Sequence, residues 1–293
     1  MNLTLTVLEI VAPVFLLAAI GYVWVKVGLE YRIQFVTRLA MSLGVPCLIF
    51  VSLMQTEIDR AALTALSAAA VMAYGAVTLA CLALVHVTGL DRRTYAAPLI
   101  FGNTGNLGLP LALFAFGEVG LSYAIIVFAI MAIWSFTYGI SLVAGGGALF
   151  KVLREPIVWA TLLGALFMLM EWETPLFLTN TLDLIGQIAI PLMLITLGVA
   201  VARLNPAGLL QAVVLSAVKL VLCVGISWTV GQFFALEPVA LAVLVLQVAT
   251  PVAVTSYMLA EKFGAAADRV AGLVVASTLM SVAALPVLLA ALL

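Results

Sequence analysis

The sequence predicts an all-α membrane protein of ten transmembrane helices, arranged as two inverted five-helix repeats. Composition is the first reason, because 66% of the 293 residues are hydrophobic and only 9% are charged, with a mean hydropathy of +1.31. So few charges cannot cover a water-soluble globule of this length. The other two reasons are the regular recurrence of long apolar stretches and the spacing of the prolines.

Apolar stretches long enough to cross a bilayer follow one another along the whole chain, since a transmembrane helix needs about 20 apolar residues. The first stretch has no basic segment and no cleavage site before it, so we interpret it as a span and not as a removable signal. The predicted spans lie near residues 3–26, 33–55, 62–88, 94–117, 120–144, 153–172, 177–202, 207–235, 238–261 and 268–291.

Prolines indicate an internal repeat. Three pairs are separated by about half of the chain, and an odd number of spans per repeat turns the second copy upside down, as in many secondary transporters. The pairs are Pro46 with Pro191, Pro98 with Pro238, and Pro110 with Pro251. We therefore expect a first repeat over residues 1–146, a short cytoplasmic linker over 147–152 and a second repeat over 153–293.

Positive charges predict the orientation. Ten of the twelve lysines and arginines flank alternate breaks between spans, and such residues favour the cytoplasmic side. Arg60 lies at the opposite side and Lys219 lies inside a span. Both termini are therefore predicted to be periplasmic or extracellular. The ten cations are Lys26, Arg32, Arg38, Arg92, Arg93, Lys151, Arg154, Arg203, Lys262 and Arg269.

Span 4 contains a polar, helix-breaking segment at the depth where lipid offers no hydrogen-bond partners. Unwound backbone survives there only if it is buried in protein or lines a wet cavity. Glycines allow close approach, proline frees carbonyls, and the amides and hydroxyl offer polar contacts. The segment predicts a binding site with substrate contacts at Asn103, Thr104 and Asn106, and a helix break formed by Gly102, Gly105, Gly108 and Pro110.

Span 9 has a matching break at Pro251, with further candidate contacts at Gln247, Thr250 and Thr255. The two breaks are expected to cross near the midplane, where half-helix N-termini carry partial positive charge and favour an anion such as a carboxylate. The alternative is an ordinary proline kink patched by neighbouring hydroxyls.

Lys219 lies about 18 Å along span 8 from its cytoplasmic end, too deep to reach the interface easily. An ionisable group at that depth is a functional hypothesis. Two interpretations stay open: attraction of the substrate anion, or a structural ion pair between helices.

Other classes of function lack the residues that they need. Three scattered cysteines and one histidine provide no metal-ligand spacing and no disulfide framework. Intramembrane catalysis needs an acid pair, a metal or an activated nucleophile, and the predicted spans contain none of these arrangements. The sequence also has no phosphate-binding loop for ATP. We expect no enzyme activity, no cofactor and no nucleic-acid partner. A membrane sensor that binds an anion without moving it remains an alternative.

Several motifs resemble those of the auxin efflux carrier family, which includes the plant PIN carriers and bacterial permeases for small dicarboxylates. The resemblance covers essentially the whole chain and corresponds to the short bacterial form. The matching motifs are Asn103-Thr104, Gly108-Leu109-Pro110, Gly117-Glu118, Gln247, Pro251, Ala260-Glu261-Lys262 and Ala284-Leu285-Pro286.

The resemblance implies a fold related to bile acid sodium symporters, with an elevator movement of spans 3–5 and 8–10 against a dimerising scaffold of spans 1, 2, 6 and 7. Asn103 matches the asparagine that contacts the substrate carboxylate. Val252 replaces a glutamine of the plant carriers, which argues against aromatic auxins and for a mono- or dicarboxylate such as malate or malonate. A sodium-coupled carrier of a bile-acid-like anion is the alternative.

The expected location is the bacterial inner membrane, with the bilayer and a second copy of the chain as partners. Coupling to H⁺, to Na⁺ or to the membrane potential alone is left open by the sequence. The absence of any acid between residues 92 and 117 weakens the sodium option, because Na⁺ is held by several carboxylate or carbonyl oxygens.

Overall fold

The computed structural model describes residues 3–55, 59–144 and 156–292, which are almost entirely helical. Three short π-helical turns, Ala40–Gly44, Thr104–Gly108 and Ser135–Gly139, interrupt the α-helices. The α-helices are α1 (Leu3–Lys26), α2 (Ile33–Leu39), α3 (Val45–Met54), α4 (Arg60–Val87), α5 (Arg92–Ile100), α6 (Leu109–Trp134), α7 (Ile140–Ala144), α8 (Pro156–Met170), α9 (Leu176–Gln187), α10 (Ala189–Arg203), α11 (Leu209–Phe233), α12 (Pro238–Val248), α13 (Val254–Phe263) and α14 (Ala267–Leu292).

Within the described ranges, seven helical segments are long and apolar enough to span a membrane, and α8 and α12 are shorter apolar helices. The predicted class, an all-helical membrane protein, is confirmed. The seven segments are Leu5–Lys26, Ile33–Met54, Ala61–Val87, Thr104–Ala144, Leu176–Arg203, Leu209–Phe233 and Ala267–Leu292. The arrangement as ten spans in two inverted repeats stays a prediction.

The 41-residue segment Thr104–Ala144 is not one straight rod. Gly117 has φ 64° and ψ −155°, a conformation that lies outside the helical region and that glycine tolerates best. Beyond it the chain turns back, because Gly105 faces Phe128 and Gly139 faces Phe101. The predicted boundary between spans 4 and 5 lies at the same glycine.

The helices around Pro46 and Pro191 are both interrupted just before the proline. A π-helical turn precedes α3, and α9 ends at Gln187 before α10 begins. The two interruptions meet in space: a Cβ at Gly44 would lie 3.2 Å from the Cβ of Ala189. These two helices therefore cross where their prolines disturb the hydrogen-bond ladder.

Packing divides the helices into two groups. In one group α1 lies along α10, and α3 packs against α8 and α9. Gly198 allows the first of these contacts, because a Cβ there would overlap the carbonyl oxygen of Ala18. In the other group α11 packs against α4, α12 and α14, and α12 packs against α6. The groups touch where α1 meets α6 and α14, and where the hydroxyls of Ser52 and Ser122 lie 3.3 Å apart.

Some predicted features fall outside the described residues. The linker at 147–152 is one of them, together with the cations Lys151 and Arg154. The side chain of Arg60 is also outside the described part. The structure therefore describes the side chains of the other lysines and arginines in the pattern that predicts the orientation, but not of these three.

Candidate functional site

The breaks around Gly102 and Pro251 lie directly against each other. Gly102 and Val252 form an antiparallel β-bridge, a short piece of strand pairing between two broken helices. The N–H of Asn103 donates to the carbonyl of Pro251 at 2.7 Å, and the N–H of Ala253 donates to the carbonyl of Phe101 at 3.5 Å. The two unwound segments thus satisfy part of each other's backbone, as burial in a membrane requires.

The span 9 break is shaped by Pro251, which has no N–H and so leaves the carbonyl of Gln247 without its helical donor. The hydroxyl of Thr250 takes that place and donates to the Gln247 carbonyl at 2.7 Å. On the other face of the segment, the hydroxyl of Ser277 on α14 accepts from the N–H of Val252 at 3.0 Å. The unwound backbone is therefore held by one hydroxyl of the segment itself, on Thr250, and by one from α14, on Ser277.

Glycines permit the close contact between the breaks. A Cβ at Gly102 would overlap the Thr250 hydroxyl oxygen, and one at Gly108 would overlap Oε1 of Gln247. The Gln247 amide thus lies directly on the first turn that follows the span 4 break. Gly102 and Gly108, two of the three glycines predicted to form the break, are therefore points of close contact at the crossing.

Three polar side chains at the crossing are buried without a partner. Asn103 is 5% exposed, and Thr104 and Gln247 are fully buried. The Asn103 Nδ2, the Thr104 Oγ1 and both amide atoms of Gln247 make no hydrogen bond within the described protein. A buried polar group without a partner costs about 1–3 kcal/mol, so this cluster favours a polar ligand.

Two helix starts border the same cluster. The π-helical turn Thr104–Gly108 leads into α6, and α13 begins at Val254 directly after the other break. The first N–H groups of a helix have no partner within it and carry partial positive charge. Amide donors, a hydroxyl and two helix N-termini therefore meet in a region that contains no acidic side chain in residues 92–117 or 238–260.

The remaining candidates are placed differently. Asn106 is half-buried on the π-helical turn, Gly105 packs against Phe128, and Pro110 lies in the first turn of α6. The Thr250 hydroxyl donates to backbone. Thr255 is exposed on α13. Asn103, Thr104 and Gln247 are thus buried on the two segments that meet at the crossing, and Thr255 is not.

Lys219 approaches the crossing from α11 and is 2% exposed. Its Nζ donates to the carbonyl of Thr250 at 3.0 Å and lies 3.8 Å from the sulfur of Cys223. Among the described residues, no carboxylate lies within salt-bridge distance of this ammonium group. Neither sequence interpretation describes this contact, which joins the ammonium group to the unwound backbone.

Sequence reasoning missed the hydroxyls on the far side of the break. Ser277 supports Val252, and a cavity of about 20 Å³ beside Lys219 is also lined by Ser216 and Ser281. Hydroxyls at 277, 278 and 281 in an otherwise apolar span were the available signal.

Within the described ranges, no group of three or more His, Cys, Asp or Glu side chains is placed to hold a metal ion.

Comparisons with known proteins identify the family of this chain. A family model described as "Membrane transport protein" matches residues 6–152 and 146–289. A protein of Rhizobium meliloti (strain 1021), named a putative malonate transporter, is 25% identical over 200 residues. That alignment covers 62% of this chain and 62% of the relative, less than two thirds of its length.

The family match covers nearly the whole chain and confirms the resemblance drawn from the motifs at the two breaks. The family consists of transporters, which confirms the prediction that the chain is not an enzyme. The chain belongs to the membrane transport protein family of auxin efflux carriers, as an integral membrane protein with several spans.

Proposed function

We propose that this protein is a carrier for a small organic anion, a mono- or dicarboxylate such as malonate or malate, which binds at the crossing of the two helix breaks. The observation that supports this most directly is the burial of three polar side chains without a hydrogen-bond partner in the described protein. The atoms concerned are Asn103 Nδ2, Thr104 Oγ1 and both amide atoms of Gln247. A carboxylate accepts hydrogen bonds only, and this cluster supplies amide and hydroxyl donors.

The helix N-termini at Thr104 and Val254 add to the preference for a negative charge. Within the proposal, the Asn103 amide donates to one carboxylate oxygen, and Thr104 and Gln247 contact the rest of the group. Val252 and Ala253 are aliphatic, which suits a short aliphatic acid better than an aromatic one. The relative named a putative malonate transporter supports the same substrate class.

The proposed architecture has ten membrane crossings in two inverted repeats, with both termini on the outer side. Its supports are the reversal at Gly117, which divides the longest helix, and the two paired crossings, one at Gly44 and Ala189 and one at Gly102 and Val252. The helix groups around α1 and α11 correspond to a dimerising scaffold and a moving unit. Alternating access is then an elevator-like movement of one group past the other.

Energy would come from a solute gradient or the membrane potential, since the sequence has no phosphate-binding loop. The sensor alternative differs from the carrier in one measurable respect, since a sensor binds the anion without moving it across the membrane. The sodium-coupled alternative requires oxygen ligands for Na⁺ at the crossing, where Lys219 already contacts the Thr250 carbonyl.

Counterflow into proteoliposomes tests the proposal. Vesicles loaded with unlabelled malonate or malate and diluted into labelled malonate are expected to accumulate the label transiently, while vesicles loaded with taurocholate serve as the comparison. Binding of malonate without exchange would establish the sensor alternative. Exchange of taurocholate that depends on Na⁺ would establish the other alternative.

A further inference from the structure

Lys219 is a buried ionisable side chain whose hydrogen-bond partner is a backbone carbonyl and not an acid. It is 2% exposed on α11, and its Nζ donates to the carbonyl of Thr250 at 3.0 Å. A buried ammonium group is costly unless it is paired and fully hydrogen-bonded. No carboxylate of the described residues lies in salt-bridge range, and the carbonyl of Thr250 is the nearest hydrogen-bond partner of the Nζ atom.

That carbonyl belongs to the break itself, one residue before Pro251. The carbonyl of Pro251 accepts from the N–H of Asn103, and the Thr250 side chain packs on Gly102. Two consecutive carbonyls therefore connect the ammonium group on one side with the proposed substrate contact on the other. A shift of the unwound segment would change both contacts together.

A cavity of about 20 Å³ lies beside Lys219, enough for a single water molecule, and its mostly apolar lining includes polar groups of Lys219, Thr250 and three serines. Ser216 lines it and is 3% exposed, and its hydroxyl has no partner within the described protein. Ser277 and Ser281 of α14 line the cavity too. The cavity therefore offers space for a water molecule that accepts a proton from Lys219.

Few other titratable groups face Lys219. Cys223 lies one turn along α11, and α4 contributes Cys81 and Tyr74. Residues 238–260, which include α12 and the break, contribute only Tyr257, and α14 carries its charges at Asp268 and Arg269 near the start of α11. On α5, Tyr95 bonds to Gln211, two turns from Lys219. None of these groups offers a nearby permanent counter-charge.

We propose that Lys219 is the binding site of a coupling proton: it is an ammonium group in the anion-loaded carrier and a neutral amine in the empty carrier on its return. An anion near Asn103 stabilises the ammonium group, since an opposite charge nearby favours the charged form. Without the anion, the N–H bond breaks, water in the cavity takes the proton, and the electron pair stays on nitrogen. The reverse step on the other side of the membrane takes up one proton.

The inference rests on the proposed function, and a single set of proteoliposomes separates the two. Malonate counterflow at equal pH tests the carrier. Uptake driven by a gradient of one pH unit, acidic outside, with the potential clamped by potassium and valinomycin, tests the proton. One proton per anion predicts about tenfold accumulation, because one pH unit corresponds to a factor of ten in proton activity.

Two variants of Lys219 test the residue. Lys219→Met has no titratable group, and Lys219→Arg stays charged because a guanidinium group does not lose its proton in proteins. In each variant we expect the accumulation ratio to fall to about one, whatever the exchange rate at equal pH. The matched control is Lys262→Met, at the exposed end of α13, which should keep the full ratio.

A malonate-induced rise in melting temperature identifies variants that fold and bind. Should Lys219→Met fail this check, Lys219→Arg decides the question, since it preserves the charge. Normal accumulation by either folded variant would overturn the assignment of the proton to Lys219. Wild-type exchange without any response to the pH gradient would also overturn it, and would leave the carrier function standing.

Discussion

The N–H of Asn103 donates a 2.7 Å hydrogen bond to the carbonyl of Pro251, across the point where the two broken helices cross. The bond joins the residue after one break's glycine to the proline of the other break. The Asn103 side chain is buried, and its Nδ2 atom has no hydrogen-bond partner among the residues that the structure describes. The backbone of this residue thus builds the crossing, while its amide is available to a ligand.

Gly102→Ala should disrupt the crossing. The added Cβ would overlap the Thr250 hydroxyl oxygen and lie 3.0 Å from the Thr250 backbone oxygen, so the two breaks would have to separate. Overpacking of this kind costs about 1–3 kcal/mol. We expect a lower melting temperature in detergent and the loss of malonate counterflow.

The matched control is Gly225→Ala on α11, where nothing lies within 4 Å of the added Cβ. That change should be neutral or stabilising by up to about 1 kcal/mol, because alanine favours a helix over glycine. Equal behaviour of the two variants would contradict the role of Gly102 as a contact point.

Local sequence was enough to predict the helices and the breaks. Long apolar stretches identify membrane spans without knowledge of their packing, and the glycines and Pro110 mark the span 4 break by their backbone properties. The half-chain proline spacing also indicated which other break would lie opposite, since Pro110 and Pro251 are related by it.

The partners of individual side chains could not be predicted in the same way. The contact of Lys219 with Thr250 joins residues 31 positions apart, and Ser277 supports Val252 across 25 positions. Such contacts depend on the rotation of each helix about its axis, which composition does not fix. For the same reason, Thr250 is buried and Thr255 is exposed, although both follow Gln247 in the same polar stretch.

Asn103→Ala should remove the main proposed contact with the substrate carboxylate. A hydrogen bond to a charged group is worth about 1.5–3 kcal/mol, which corresponds to a roughly 10- to 100-fold weaker affinity for malonate. The concentration dependence of counterflow measures this change.

Asn180→Ala serves as the control, since Asn180 is exposed on α9 and lies outside the crossing. The Asn103 variant should keep a melting temperature near that of the wild type, because its backbone bond to Pro251 remains. Unchanged affinity in a folded Asn103→Ala carrier would place the substrate elsewhere.

Ser277→Ala should destabilise the span 9 break by removing its hydrogen bond to α14. The change leaves the Val252 N–H without its acceptor, and a buried donor without a partner costs about 1–3 kcal/mol. Ser227→Ala is the comparison: that buried hydroxyl donates to the Cys223 carbonyl within its own helix, and its removal frees no backbone N–H. A clearly larger drop in melting temperature for Ser277→Ala is expected, and equal drops would argue against a supporting role.

Asp91→Ala should weaken the start of α5 at the membrane surface. The Asp91 carboxylate accepts from the N–H of Thr94 at 2.9 Å and from the Thr94 hydroxyl, whose oxygen accepts from the N–H of Ala266 at 3.3 Å. Loss of such a cap costs about 1 kcal/mol. Asp183→Ala is the control: it removes an exposed carboxylate and its hydrogen bond from the Gln187 side chain inside α9, but no helix cap.

The pH dependence of this effect has a defined sign. The donating Thr94 hydroxyl lowers the pKa of Asp91 below its ordinary value of 3.8, so the native state favours the ionised form. Its contribution to stability is complete above that ordinary value and is lost as the pH falls through the lower native pKa. Melting temperatures should therefore differ between wild type and Asp91→Ala by a constant amount from pH 5 to pH 8, and converge only below about pH 4. A difference that changed between pH 6 and pH 8 would require another titrating group.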